Sequence, residues 1–315
     1  MQSEDVQVLQ AAAAATRAGH RAWLATVVAV HGSSPRPPGS MALFLPPDSQ
    51  IGSLSGGCVE EELAAAISAG EFSRVCTELS YGVSAEENAR LGLPCGGYLQ
   101  VLLQALSPDD SPWLAEVLQA LESRANIRRV THRDTGSTAV ASVPKFHGLR
   151  WQGGILEQCF GPRQRLLLIG AGQLAASVAD LAIGLEYDVL VCDPRDEARA
   201  DWRGPNVTLM GGMPDDAVRA HADDPMSIVI TLTHDPRIDD MALMEALESR
   251  AWYVGALGSK RTTEERLLRL RALGLPEDAL ARLHAPVGLD IGSKTPAEIA
   301  VSILAELTRL RRRGV

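Results

Sequence analysis

RLLLIGAGQLAASVADLAIGLEYDVLVCDPR, residues 165–195, is the stretch whose reading decides the fold. It runs as strand, glycine turn, helix and second strand, and it closes on an acid. The apolar run 166–169 has the continuous character of a strand buried on both faces. Gly170 allows a tight turn, Gly172 lets the backbone approach a pyrophosphate, and Ala175 takes the third, packing position. Asp193 follows Gly170 by 23 residues and falls at the end of the second strand, where a carboxylate can bond ribose hydroxyls. A glycine turn alone is a weak signal. Here strand, helix, second strand and acid recur together at the spacing of a dinucleotide-binding βαβ unit.

Further units follow towards the C-terminus: NVTLM (206–210), a helix from Pro214, SIVITLT (227–233), a helix over 238–249, AWYVGALGS (251–259), a helix over 262–273 and a last helix from Pro296 to about Arg313. The pattern predicts an α/β fold whose C-terminal domain, residues 161–315, is a Rossmann-like doubly wound parallel sheet. Upstream, residues 1–160 read as an α+β domain. A surface helix over 4–19 leads into two β-rich runs, joined across His31–Ser40 by a segment whose three prolines forbid helix. SLSGGC then opens a helix that ends at Gly70, and VCTELSYG (75–82), YLQVLLQAL (98–106), NIRRVTHR (126–133) and TAVASV (138–143) read as strands around a helix near 110–125.

A chain of 315 residues, 46% apolar and 22% charged, fits two such domains. Its formal net charge of −9 argues against a nucleic-acid surface, whose footprint is basic. The N-terminus carries acid where a signal peptide carries base, and no uncharged apolar run reaches the ~18 residues needed to span a bilayer. The expectation is a cytoplasmic protein with no membrane partner. Five cysteines, at 58, 76, 95, 159 and 192, lack CxxC spacing, which speaks against a disulfide framework and a zinc knuckle.

Candidate chemistry gathers in loops. Backbone amides from Ala171 through Gln173 to Ala175, with the helix dipole, suit an anionic phosphate, unless the turn is kept for its geometry alone. Arg195 either pairs with that phosphate or bridges to Asp193 or Asp196. In TLTHD (231–235), His234 and Asp235 offer acid and base or ligand anchors, and capping of the next helix is the competing reading. In GALGSKR (255–261), Ser259, Lys260 and Arg261 make an anion site at a helix start, compatible with capping by Ser259. GLDIGSKT (288–295) is a third such loop. Among the thiols, Cys76, Cys159 and Cys192 read as buried small hydrophobes. Cys58 and Cys95 differ, because each is flanked by two glycines that clear an approach. A helix start favours a thiolate over a thiol, although Glu60, Glu61 and Glu62 oppose this if they face the sulfur. An open thiolate suits nucleophilic attack or ligation of a soft metal, and the lack of an adjacent base favours ligation; filling of a small hole is the alternative.

Taken in order, GSSPRPPGSM (32–41), GSLSGGCVE (52–60), LPCGG (93–97), LLLIGAGQLA, VCDPR, LTHDP (232–236), YVGALGSKRT (253–262) and HAPVGLDIGSKTPAEIAVSI (284–303) resemble the XdhC/CoxI family of accessory proteins for molybdenum hydroxylases. The resemblance implies a chaperone that binds the molybdenum cofactor (molybdopterin), delivers it to xanthine dehydrogenase or a related hydroxylase, and works with a cysteine desulfurase. It places the family's thiol motifs on Cys58 and Cys95, at the metal end of the cofactor, and its basic loop motif on Arg36. Gln173 stands where relatives commonly carry histidine, which speaks against proton transfer there. Two other readings stay open. One is an NAD(P)-dependent oxidoreductase with its nucleotide at Gly170, Gly172 and Asp193, His234 and Asp235 as proton handlers and Cys58 as redox thiol; the other is a protein-docking adaptor without ligand. A homodimer is expected, since it would bring a cysteine-bearing domain onto a Rossmann crevice.

Overall fold

The structure is a computed structural model that describes residues 4–32, 36–47, 49–82, 84 and 98–313. It divides into two units, the first ending at Pro162 and the second beginning at Arg163. Among the described residues no helix is long and apolar enough to cross a membrane.

In the first unit, helix α1 (Glu4–Arg17) precedes β1 (Ala22–His31), β2 (Met41–Leu45) and β3 (Ser49–Gly52); then come α2 (Cys58–Ser68), β4 (Cys76–Tyr81), β5 (Tyr98–Leu106) and α3 (Ser111–Glu122). These five strands form an antiparallel sheet in the order β3-β2-β1-β5-β4. Side chains alternate across β1, so the sheet is covered on both faces. Leu24, with Met41 and Leu43, packs on Leu9 of α1 and on Trp113 and Leu114 of α3. Trp23, Ala25 and Val27 pack on Val59, Leu63 and Ile67 of α2. The helix expected on the surface is therefore half core, with Val8 and Leu9 fully buried. A second antiparallel sheet, β7-β6-β9-β8, is built from β6 (Ile127–His132), β7 (Thr138–Ser142), β8 (Arg150–Gln152) and β9 (Ile155–Phe160).

The second unit alternates β10 (Arg165–Ile169), α4 (Gln173–Gly184), β11 (Asp188–Cys192), α5 (Asp196–Ala200), β12 (Thr208–Met210), α6 (Pro214–His221), β13 (Ser227–Thr231), α7 (Pro236–Glu248), β14 (Tyr253–Ala256), α8 (Lys260–Ala272), α9 (Glu277–Leu280), β15 (Leu283–His284) and α10 (Pro296–Arg313). Its six parallel strands lie in the order β12-β11-β10-β13-β14-β15, the 3-2-1-4-5-6 order of a doubly wound dinucleotide fold. The apolar run of β10 has its cause in two opposed layers. Leu166 and Leu168 join the core with Val178 of α4 and Ile303 of α10. Leu167 and Ile169 join the core with Val218 of α6, Leu243 of α7 and Leu270 of α8.

Between β10 and α4 the chain turns at Gly170, whose φ is 109°, a left-handed region that favours glycine. A Cβ there would lie 2.8 Å from Thr233 Cγ2, whereas a Cβ on Gly172 would meet nothing within 4 Å. The two glycines thus serve different ends. Gly170→Ala should destabilise the protein by about 1–3 kcal/mol, while Gly172→Ala should cost under about 1 kcal/mol; urea unfolding of both variants measures the difference.

Candidate functional site

Cys58 is the first residue of α2 and is exposed. The loop before it, Ser53 to Gly57, is wrapped around one side chain. Glu60 Oε1 accepts from Ser53 Oγ (2.8 Å) and from the amides of Leu54 (2.7 Å), Ser55 (2.8 Å) and Gly56 (2.9 Å). Its Oε2 accepts from Ser55 Oγ (2.5 Å) and from the Gly57 amide (3.1 Å). Burial pushes this carboxyl up, but the hydrogen bonds from Ser55, Gly56 and Leu54 outweigh it and hold it at about 2. Glu60 therefore organises the backbone that carries the cysteine. A Cβ on Gly56 or Gly57 would meet nothing within 4 Å, so these glycines leave the thiol's approach open rather than filling a crowded turn.

The other sequence candidates of this unit are placed differently. Arg36 is ion-paired with Glu4 of α1 at 2.7 Å. Cys95 lies outside the described residues. Cys76, Cys159 and Cys192 are buried, and burial pushes the Cys76 and Cys192 thiols up to about 11. Among the described residues no group of three or more histidines, cysteines and acids is arranged to hold a metal ion.

In the second unit, parallel strands bring the loops after β10, β11, β13 and β14 to one carboxyl edge, and the strand order reverses between β10 and β13. Helix α4 begins at Gln173 with Gly172 as its cap residue and no side-chain cap, and both residues are exposed. Asp193 departs from the ribose-binding expectation. It is fully buried, and its Oδ2 accepts from the Ala171 amide (2.8 Å) and Arg195 Nη2 (2.7 Å). Its Oδ1 accepts from Arg195 Nε (2.9 Å) and the Arg195 amide (3.0 Å). These four bonds engage both oxygens of the carboxylate with donors of the protein itself. Burial pushes the group up; Arg195 and the Ala171 amide outweigh that and leave it below its usual range.

The loop after β13 also differs from its acid–base reading. Asp235 caps α7 through the Arg237 amide and binds the Arg237 guanidinium at 3.0 and 2.7 Å, which lowers its carboxyl to about 2. Such a group stays ionised near neutrality. His234 stands exposed beside it. After β14, Ser259 accepts from the Thr262 amide at 3.2 Å and caps α8; Arg261 pairs with Glu265 at 3.0 Å, and Lys260 is exposed.

Beneath this edge lie buried groups without a local sequence signal. Asp239 of α7 accepts from Thr233 Oγ1 (2.7 Å) and from Arg266 Nη2 of α8 (3.0 Å). Arg266 Nη1 in turn donates to the Leu257 carbonyl (3.0 Å). One ion pair, with side chains 3% and 1% exposed, thus ties the loop after β13 to the loop after β14. In the GLDIGSKT loop, the Gly288 amide (2.6 Å) and the Tyr253 hydroxyl (2.9 Å) both donate to Glu306 of α10.

The fold and site define a class: a Rossmann-type unit preceded by an α+β unit that displays a thiol on a carboxylate-held glycine loop. The chain belongs to the XdhC and CoxI family. Residues 15–71 match the family of that name, and residues 166–307 match the XdhC Rossmann domain. The chain is 30% identical over 306 residues to the molybdenum cofactor insertion chaperone PaoD of Escherichia coli K12, with 96% of this chain and 88% of that protein covered. It is 27% identical over 317 residues to a probable xanthine dehydrogenase subunit of Bacillus subtilis 168, with 93% of this chain and 94% of that protein covered. A crystal structure from Bacillus halodurans described as a xanthine dehydrogenase matches with a TM-score of 0.79 at 27% identity, over 100% of this chain and 97% of that one.

Two outcomes test the site's construction. The stability that Glu60 supplies, on the order of 3 kcal/mol, is complete above pH 4.5 and is lost as pH falls towards about 2; Glu60→Gln should lack this part of the acid transition in urea unfolding followed across pH. Asp239→Ala removes the nearer carboxylate from the buried Arg266, leaving it only Asp240 at 4.0 Å, and should cost about 3 kcal/mol, read as a lower denaturation midpoint.

Proposed function

We propose that the protein is an accessory chaperone that binds the molybdenum cofactor and inserts it into a molybdenum hydroxylase such as xanthine dehydrogenase, without turnover of its own. The observation that carries this reading is Cys58: an exposed thiol at a helix start, on a loop that Glu60 holds in one shape. A soft sulfur on a fixed backbone suits the metal end of a dithiolene cargo, and Cys95 is the proposed second thiol. The near full-length relation to a protein named as a molybdenum cofactor insertion chaperone supports the same reading.

In the second unit, the open backbone at Gly172 and the uncapped start of α4 fit a phosphate group, whether it belongs to the cargo or to a nucleotide such as NAD(P). An oxidoreductase reading is less well supported, because Asp235 caps α7 and is paired with Arg237 rather than available as a proton donor. A cysteine desulfurase and a second copy of the chain complete the proposed cytoplasmic assembly.

Protein purified from cells that make the cofactor should carry molybdenum and pterin, measured by mass spectrometry and pterin fluorescence. Cys58→Ala should lower the retained cofactor on the order of tenfold with unchanged circular dichroism. Equal retention would remove the thiol from the proposal, and hydride transfer to a bound nucleotide would replace it with the oxidoreductase reading.

A further inference from the structure

We propose that the carboxyl edge of the second unit selects a phosphate monoester over a free ribose diol, with Arg195 as the selecting residue. A diol is recognised by an acceptor, usually an acid at the end of the second strand. Here that acid, Asp193, is fully buried and holds four donors of its own protein. Its neighbours at the same edge are also engaged: Asp196 is paired with Arg199, and Asp235 with Arg237. The acid in the ribose position is therefore engaged by the protein itself.

What the edge presents instead is a cation. Arg195 gives two of its five N–H groups to Asp193, Nε at 2.9 Å and Nη2 at 2.7 Å, and 51% of its side chain remains exposed. The fork is thus locked in its plane with three N–H groups left over. Its position is also fixed. The oxygen that binds Arg195 Nη2 binds the Ala171 amide at 2.8 Å as well, so the guanidinium sits against the glycine turn and beside the open backbone of Gly172. A planar cation already ordered by a buried carboxylate binds a dianionic phosphate with little further loss of side-chain entropy.

A nucleotide 2′-phosphate and the phosphate monoester of a pterin are two sources of this same dianion. Calorimetry on the full chain would use NADP and NAD as one pair of probes, and molybdopterin and its dinucleotide form as a second pair. The expected result is that at least one monoester probe binds about tenfold more tightly than its partner, and that Arg195→Gln removes this preference. Arg195→Lys, which keeps the charge and loses the fork, should fall between; circular dichroism and melting confirm that both variants fold. The pair that shows the preference identifies the source. Equal affinities within both pairs, or a preference unchanged in Arg195→Gln, would overturn the proposal. Because the second-unit reading of a cargo phosphate belongs to the chaperone proposal, the two are separated as follows: cofactor retained through Cys58 with no Arg195 dependence sinks only the present inference. A preference for NADP in a protein that retains no pterin sinks only the chaperone.

Discussion

Loop amides held by the protein's own carboxylates are the interaction on which both units depend. Backbone that leaves a strand or helix must find partners for its N–H groups, and bonds from amides to a carboxylate are about twice as strong as neutral ones. Glu60 gathers the amides from Leu54 to Gly57. Asp193 takes the amide of Ala171, Glu306 that of Gly288, and Glu298 those of Lys294 and Thr295. These loops bear family motifs; the loop after β14, which bears one too, is an exception, since Ser259 rather than an acid caps its helix. The glycines in these loops supply the backbone freedom, and the acids remove it again.

This arrangement also reconciles an acidic chain with an anionic ligand. A net charge of −9 would repel phosphate if it were spread over the binding edge. At the carboxyl edge the acids are instead bound to arginines: Asp193 to Arg195, Asp196 to Arg199, Asp235 to Arg237 and Asp239 to Arg266. Local charge, rather than the total, decides what approaches.

The Rossmann order is legible because its signal is local and redundant: an apolar run, a glycine turn, a helix and an acid within 165–195, each implying the next. Strand β15, two residues long, and β3, which is exposed or half-exposed throughout, carry no periodicity to read. The acid run after Cys58 reads in sequence as charge opposing a thiolate, although Glu60 stands three residues after the cap residue Gly57, the spacing of a capping carboxylate; that spacing is where the contact is legible. Asp193 is legible in place but not in role, since spacing locates a carboxylate without saying which donors reach it first. The pairing of Asp239 with Arg266 joins residues on two helices, and no short-range pattern announces it.

The burial of Glu60 has a consequence for how the molecule responds to ionic strength. Exposed pairs such as Arg250 with Asp223 loosen as added electrolyte screens them, whereas a carboxylate only 3% exposed is largely out of reach of counterions. The segment that bears the thiol therefore keeps the same shape in dilute buffer and in brine, while exposed arginine pairs such as Arg250 with Asp223 come apart.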